Sequence, residues 1–165
     1  MTQFYTVCFA LFCLLVFLGC ATDPDIDSSK VFVSSTDALP DDKQLWGKVT
    51  VADPTRNAWG TDTYVVNDPP SITGDVLTLS VSYSGGCEAH NFTLITSGGF
   101  LESNPVQLQA VLAHDANGES CEAWVTETYH FNVSPLKTRY QKAYRTETGT
   151  IALNIKGISA LVYTF

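Results

Sequence analysis

The sequence predicts an all-β fold, an antiparallel β-sandwich of about eight strands with one short helix. Apolar and polar residues alternate in several runs, among them 77–83 and 151–156, and this period of two is typical of strands with one buried face. Turn-forming residues separate the runs, including the tripeptide SGG at 84–86 and again at 97–99. Residues 134–145 instead place apolar residues at intervals of four behind a proline, which predicts the helix.

Length and composition indicate a single domain and exclude one class of partner. With 165 residues, of which 45% are hydrophobic and 12% aromatic, the chain can form one core. Its formal net charge is −8, from 17 acidic and 9 basic residues. Nucleic-acid affinity rests largely on Lys and Arg that neutralise phosphates, so we expect no nucleic-acid partner.

Residues 1–20 are predicted to be a signal peptide that is not part of the fold. Residues 7–19 form an apolar run of 13 residues, which is the length of a signal hydrophobic region and is short for a membrane span. The run ends in the sequence LGC, which resembles a bacterial lipobox. In a lipobox Cys20 would be lipidated and would become the first residue of the mature chain. A secretory signal cleaved near Ala21, or a short membrane anchor, is the alternative.

The rest of the chain is predicted to consist of a tether and the β-sandwich domain. Residues 21–44 are rich in Asp, Ser, Thr and Pro and should form a flexible tether. The domain occupies residues 45–165. The expected location is the cell envelope, as an outer membrane lipoprotein that faces the periplasm or the exterior and is attached to the membrane through its N-terminal lipid.

Export determines how the five cysteines are interpreted. Cys8 and Cys13 would leave with the signal peptide and Cys20 would carry the lipid. Only Cys87 and Cys121 then remain in the mature domain. Two cysteines in an oxidising compartment most simply pair, so we predict a disulfide between them.

Two histidines accompany these cysteines. His90 stands three positions after Cys87, His114 ends an alternating run, and strand parity turns both imidazoles inward. Imidazole and thiolate ligands suit zinc or copper, so a metal held by His90 and His114, with or without the cysteines, is one interpretation. The other has no cofactor, and each histidine is then satisfied by a backbone carbonyl or an acid such as Asp115 or Glu88.

Three other side chains bear on function. Glu119 is interpreted as solvated surface. Glu127 has inward strand parity, which predicts a bulge or a pairing with Arg139 or Lys142, or else a buried acid. Trp59 lies in a polar loop, where it would either contact a ligand or cap the core.

The sequence contains none of the common catalytic signatures. It has no G-x-S-x-G, no H-E-x-x-H and no phosphate-binding glycine loop. We therefore expect a non-enzymatic binding or envelope-associated module, whose partner is an envelope protein or a small ligand. The alternatives are a periplasmic copper- or zinc-handling protein that uses His90 and His114, and a periplasmic enzyme inhibitor.

Four stretches of the chain resemble a set of small bacterial lipoproteins of unassigned function. In order behind the lipobox they are SGGCEAHNFTLI, LAHDANGESCEAW, FNVSPL and GTIALNI, and they cover roughly residues 76–155. The resemblance implies export, lipidation and a β domain. It implies no activity and no catalytic residues.

Overall fold

The structure, a computed structural model, describes residues 44–56 and 59–165. The predicted signal peptide, the lipidation site at Cys20 and nearly all of the predicted tether lie outside the described residues. Within the described part, no helix has the length and apolar character needed to cross a membrane.

Nine strands and one helix follow one another in the described part of the chain. In chain order they are β1 (Leu45–Val51), β2 (Val65–Val66), β3 (Ser71–Thr73), β4 (Val76–Gly85), β5 (Asn91–Leu101), β6 (Val106–Asp115), β7 (Ala123–Asn132), α1 (Ser134–Tyr144), β8 (Thr150–Ile155) and β9 (Leu161–Thr164).

The nine strands form one continuous sheet. Its order is β2-β4-β7-β1-β5-β6-β8-β9, with β3 paired to β4 beside this path. Strand β1 runs parallel to both of its neighbours, β5 and β7, and β8 runs parallel to β6. The other pairings are antiparallel. The sheet is a curled, mixed half-barrel.

The predicted β-rich class and the short helix are confirmed, but the strictly antiparallel sandwich is wrong. The strands form one mixed sheet. Alternation of side chains reports which face of a strand is buried, and it does not report which strand lies alongside or in which direction. A curled sheet covers its own concave face, so it produces the same sequence pattern as two stacked sheets.

The core fills the concave face of the half-barrel. Its side chains come from β4 to β9 and from the helix, and they form one contiguous cluster. The largest fully buried apolar side chains of this cluster are Leu77, Leu79, Phe92, Leu94, Leu108, Phe131, Leu136, Ile151, Leu153 and Tyr163.

Helix α1 packs on the sheet and is held there by apolar and charged contacts. Leu136 is fully buried. Nζ of Lys137 lies 2.5 Å from Oδ2 of Asp75, and the hydroxyl of Tyr163 donates to Oδ1 of the same carboxylate over 2.6 Å. These hydrogen bonds, from Lys137 first and Tyr163 second, hold the pKa of Asp75 below its usual range.

Both SGG tripeptides lie in or against strands instead of forming open turns. The first contributes Gly85, the last residue of β4. The second interrupts the pairing of β5 with β6, whose register shifts between Thr96 and Phe100. Gly98 takes a φ of +73° there, a conformation that glycine tolerates and that a bulge requires.

Candidate functional site

Two loops meet at one end of the half-barrel. Loop 86–90 joins β4 to β5, and loop 116–122 joins β6 to β7. Because β1 and β5 lie between β7 and β6 in the sheet, loop 116–122 has to cross this end. Asn117 connects the two loops, since its Nδ2 donates to the carbonyl of Ala89 over 2.6 Å and its Oδ1 accepts from Asn91 over 2.9 Å.

A disulfide joins the two loops. Cys87 and Cys121 are bonded, with Cα atoms 6.0 Å apart and a sequence separation of 34. This is the pair that the sequence predicts. Cys87 is exposed and Cys121 is half-buried, so the bond lies at the surface where a small thiol can approach it.

The two predicted histidines lie side by side under these loops. The exposed fractions of His90 and His114 are 5% and 1%, so both point inward. Nδ1 of His90 is 2.7 Å from Nε2 of His114, and Nδ1 of His114 is 3.2 Å from the carbonyl oxygen of Thr63. His90 stacks on Tyr83 and His114 stacks on Phe92, each with ring centroids 4.3 Å apart.

Glu119 completes this chain of contacts, and its interpretation as solvated surface is wrong. Its side chain is 3% exposed, and Oε1 lies 2.8 Å from Nε2 of His90. Oε2 accepts the backbone N–H groups of Cys87 (3.1 Å) and Glu88 (2.7 Å). The acid beside His90 is therefore Glu119, and the expected Asp115 or Glu88 does not take this role. We call His90, His114 and Glu119 the histidine cluster.

Gly85 leaves the space that the histidine cluster occupies. A Cβ atom at this position would lie 2.2 Å from Oε1 of Glu119 and 2.7 Å from Cε1 and Nε2 of His90. A side chain on β4 would therefore displace both residues. This steric requirement explains why the strand ends in glycine.

The hydrogen bonds set the direction of the protons in the histidine cluster. The carbonyl of Thr63 can only accept, so Nδ1 of His114 carries a hydrogen. A neutral His114 then accepts at Nε2 from Nδ1–H of His90. Nε2 of His90 faces a carboxylate, and two lone pairs at that distance would repel, so one further proton is held between His90 and Glu119. The pair is thus an ion pair or its neutral tautomer.

A second polar group, formed by Tyr83, Glu127 and Tyr129, adjoins the histidine cluster. The carboxylate of Glu127 accepts the hydroxyl of Tyr129 over 3.1 Å and also that of Tyr83. Strand β7 pairs with β4 without interruption here, so the predicted bulge, or pairing with Arg139 or Lys142, is wrong. Burial raises the pKa of Tyr129 to about 12, and burial together with the hydrogen bond to Glu127 raises the pKa of Tyr83 further.

All four imidazole nitrogens of the cluster face other protein atoms. Those of His90 face His114 and Glu119, and those of His114 face His90 and Thr63. Two ligands of one metal direct their lone pairs at a shared point, and here the histidines direct nitrogens at each other. In this arrangement the two imidazoles do not present converging lone pairs, and the metal interpretation of His90 and His114 stays a prediction.

The convex face of the sheet carries a second candidate site. Trp46 on β1 and Trp124 on β7 are 53% and 67% exposed. Trp46 pairs with His130, and His130 is six residues from Trp124 along β7, so the two indoles are about 20 Å apart at roughly 3.3 Å per strand residue. Trp46 and Trp124 were not singled out from the sequence, although their outward position in the strand alternation could have identified them.

Hydrogen-bonding side chains cover the sheet between these indoles. Ser82 contacts Thr126 over 2.6 Å and Asn67 over 3.1 Å, and Thr78 contacts Nδ1 of His130 over 3.0 Å. No outward position of the described strands β1, β4 and β7 holds an acidic residue. We call this surface the tryptophan face; its outward residues are Trp46, Lys48, Thr78, Ser80, Ser82, Ser84, Trp124, Thr126, Thr128 and His130.

Trp59, which the sequence singled out, lies elsewhere. Its Nε1 donates to the carbonyl of Asp53 over 3.2 Å, and its ring lines a cavity of about 250 Å³ together with Tyr64 and His114. It is half-buried, and the same cavity is lined by Ile95 of β5 and Val111 of β6. Trp59 therefore does not belong to the tryptophan face.

The histidine cluster predicts that acid destabilises the fold in two steps. Burial, assisted by the neighbouring His90, lowers the pKa of His114. Below about pH 6.5, the ordinary pKa of histidine, the unfolded chain therefore binds a proton that folded His114 does not, and stability falls. Burial alone would raise the pKa of Glu119, but the contact with His90 and the backbone amides of Glu88 and Cys87 outweigh burial and keep this pKa low. A second loss of folding stability therefore begins below the ordinary pKa of glutamate.

Urea unfolding at a series of pH values measures this dependence. We expect the free energy of unfolding to decrease from pH 7.5 to pH 5 and again towards pH 3. A His114→Gln variant should be less stable at every pH but should lack the upper decrease. An unchanged slope in that variant would assign the upper step to another group.

Comparison with known proteins adds information about the fold. No protein-family model and no curated protein matches the chain. Among solved structures, a NigD-like immunity protein from Bacteroides caccae has a TM-score of 0.50 at 17% identity, over 73% of this chain and 58% of that one. A candidate lipoprotein from Bacteroides fragilis has a TM-score of 0.45 at 12% identity, over 74% and 69%. A candidate toxin-related protein from Parabacteroides distasonis has a TM-score of 0.44 at 20% identity, over 72% and 59%.

These comparisons concern the fold alone. The chain spans less than two thirds of the NigD-like protein and of the toxin-related protein. Fold and sites together define a disulfide-bonded, β-rich half-barrel with a buried histidine cluster at one end and an exposed tryptophan face on its convex side.

Proposed function

We propose that the chain is a lipid-anchored, exported binding module of the cell envelope, without enzymatic activity, and that its tryptophan face binds a neutral carbohydrate chain. The observation that carries the proposal is the pair of exposed tryptophans, 53% and 67% exposed, at the two ends of a strip of hydroxyl groups. The Cys87–Cys121 disulfide supports an exported location, because such bonds persist in oxidising compartments.

The chemistry of the face matches a sugar chain. A sugar ring offers C–H bonds on its faces and hydroxyls on its rim, and the negative π-face of an indole attracts the C–H groups. Thr126, Thr128 and Ser84 can exchange hydrogen bonds with the rim. A span of about 20 Å between the indoles, from the strand rise, suits an extended oligosaccharide.

Charge argues for a neutral ligand. The chain as a whole has a formal charge of −8, yet the tryptophan face has no acidic side chain and only Lys48 and His130 as basic groups. A strongly anionic or cationic partner would find few complementary charges there. A neutral carbohydrate chain needs no complementary charges and meets no electrostatic repulsion on the tryptophan face.

Replacing either Trp46 or Trp124 with alanine should weaken carbohydrate binding. Truncation of a tryptophan that anchors a contact typically costs about 2 kcal/mol or more, which is roughly a 30-fold loss of affinity. Native affinity electrophoresis of the full chain in gels that contain mannan, xylan or laminarin measures the effect as a loss of retardation.

Val162→Ala is the matched control, because Val162 is 66% exposed on β9 and lies outside the tryptophan face. Its retardation should equal that of the unaltered chain. If none of the neutral polysaccharides retards the unaltered chain, or if the Trp46→Ala, Trp124→Ala double variant is retarded equally, the carbohydrate proposal fails. Capture of a protein through the same indoles would point to a protein ligand instead.

A further inference from the structure

The disulfide end of the half-barrel contains a donor set that shares no residue with the tryptophan face. The sulfurs of Cys87 and Cys121 and a carboxylate oxygen of Glu119 lie within 4.8 Å of one another. His90 contacts the carboxylate of this set, with Nε2 2.8 Å from Oε1 of Glu119. Thiolate sulfurs and carboxylate oxygens are ligand types that zinc takes in proteins.

A buried imidazole holds the carboxylate of this donor set. Nε2 of His90 lies 2.8 Å from Oε1 of Glu119, and the two side chains are 0% and 3% exposed. Groups that hold a metal ligand in its orientation contribute to metal affinity. His90 therefore fixes the Glu119 carboxylate beside the two sulfurs.

We propose that, after reduction of the Cys87–Cys121 disulfide, this end of the half-barrel binds one zinc ion through Cys87, Cys121 and Glu119, with His90 holding the Glu119 carboxylate in place. The site differs from a histidine-pair site in that His114 stays bonded to Thr63 and serves to hold His90 in place. The disulfide and the metal then occupy the same position in alternative states of the protein.

The positions of the ligands allow this exchange. The two Cα atoms are 6.0 Å apart, and both cysteines lie in loops outside the strands, so rotation about each Cα–Cβ bond can separate the sulfurs while the sheet stays in place. Glu119 is already held by the backbone amides of Cys87 and Glu88 through Oε2. Its other oxygen, Oε1, contacts Nε2 of His90, so the carboxylate is fixed beside the two sulfurs.

The reaction balances in two steps. A dithiol reductant transfers two electrons and two protons to the Cys87–Cys121 bond, which breaks into two thiols while the reductant forms its own disulfide. Zinc then replaces the two thiol protons, which leave to solvent, because the thiolate is the ligand. The exposed position of Cys87 gives the reductant access to the bond.

Cobalt(II) titration of the full chain tests the site, because cobalt replaces zinc and its bonds to thiolates absorb in the near ultraviolet. The chain reduced with a dithiol should show this absorption at one equivalent of cobalt, and zinc should bleach it. The oxidised chain should lack it. The Cys87→Ser, Cys121→Ser double variant provides the background, since Cys8, Cys13 and Cys20 are still present in the full chain.

Glu119→Gln distinguishes this site from a plain dithiol. The amide keeps an acceptor for the two backbone N–H groups but is a poor zinc ligand, so cobalt affinity should fall by at least about tenfold, since even residues that only orient ligands change affinity about 10–100-fold. Glu122→Gln is the control, because Glu122 is exposed and outside the donor set. Circular dichroism verifies that both variants fold.

Two results would overturn the proposal. One is a reduced chain with no more thiolate absorption than the double serine variant. The other is a folded Glu119→Gln variant that binds cobalt as tightly as the unaltered chain. Neither result bears on carbohydrate binding, which is measured with the disulfide intact.

Discussion

Replacing both Cys87 and Cys121 with alanine should lower the free energy of unfolding by about 4 kcal/mol. The disulfide closes a loop with a sequence separation of 34, and a crosslink of that length restricts the unfolded chain more than the folded one. The folded state of a domain is typically stable by only about 5–15 kcal/mol. Losing the disulfide should therefore remove a large fraction of the total stability.

Equilibrium unfolding in urea without reductant measures the loss. The unaltered chain treated with a dithiol, in the absence of metal, should unfold at nearly the same urea concentration as the double alanine variant. The same dithiol should leave the variant unchanged, which serves as the control. Equal stability of the variant and the untreated chain would mean that the two sulfurs are not bonded in solution.

The disulfide is the covalent connection between the two loops that cover the histidine cluster. The backbone ladders stop at the ends of loops 86–90 and 116–122, since the last paired residues are Gly85 with Ala123 and Asn91 with Asp115. Between the loops themselves, apart from the disulfide, the connection rests on Asn117 and on the two amides that donate to Glu119. Reduction should therefore loosen the cover of the histidine cluster before it affects the strands.

The sequence was sufficient to predict the local features of this molecule. Alternation identified the buried face of β4 through residues such as Leu77 and Leu79, which are 0% and 2% exposed. Parity also turned His90 and His114 inward. These predictions hold because side-chain direction along a strand depends only on the local backbone.

The sequence was insufficient for features that depend on neighbours distant in the chain. Nothing in the composition of β1 indicates that it is inserted between β5 and β7 and parallel to both. For the same reason Glu119 looked solvated, since its burial depends on loop 116–122 crossing the end of the half-barrel. Glu127 looked unpaired because its partners, Tyr83 and Tyr129, meet it only in the folded sheet.

Replacing Gly85 with alanine should destabilise the fold by up to about 3 kcal/mol, the upper part of the range for an overpacked core. The added Cβ would lie 2.2 Å from Oε1 of Glu119 and 2.7 Å from Nε2 of His90, which is closer than atoms can approach. Strand β4 is paired with β7 at Gly85 itself, opposite Ala123, which restrains the backbone from moving away. The two side chains must therefore shift, and their mutual contact is lost.

Gly99→Ala is the matched control for Gly85→Ala. Gly99 also lies in a strand with a negative φ, and the nearest atom to its added Cβ is Oγ of Ser97 at 3.9 Å. Urea unfolding should show little change for Gly99→Ala and a large one for Gly85→Ala.

A double-mutant cycle assigns the cause of the loss at Gly85. In a Glu119→Ala background the closest atom is gone, so adding Gly85→Ala should cost less than it does in the unaltered chain. Equal costs in the two backgrounds would mean that the glycine is required by the backbone of β4 and not by the histidine cluster. A smaller cost would establish that the end of β4 is glycine because the buried carboxylate occupies the space of a side chain.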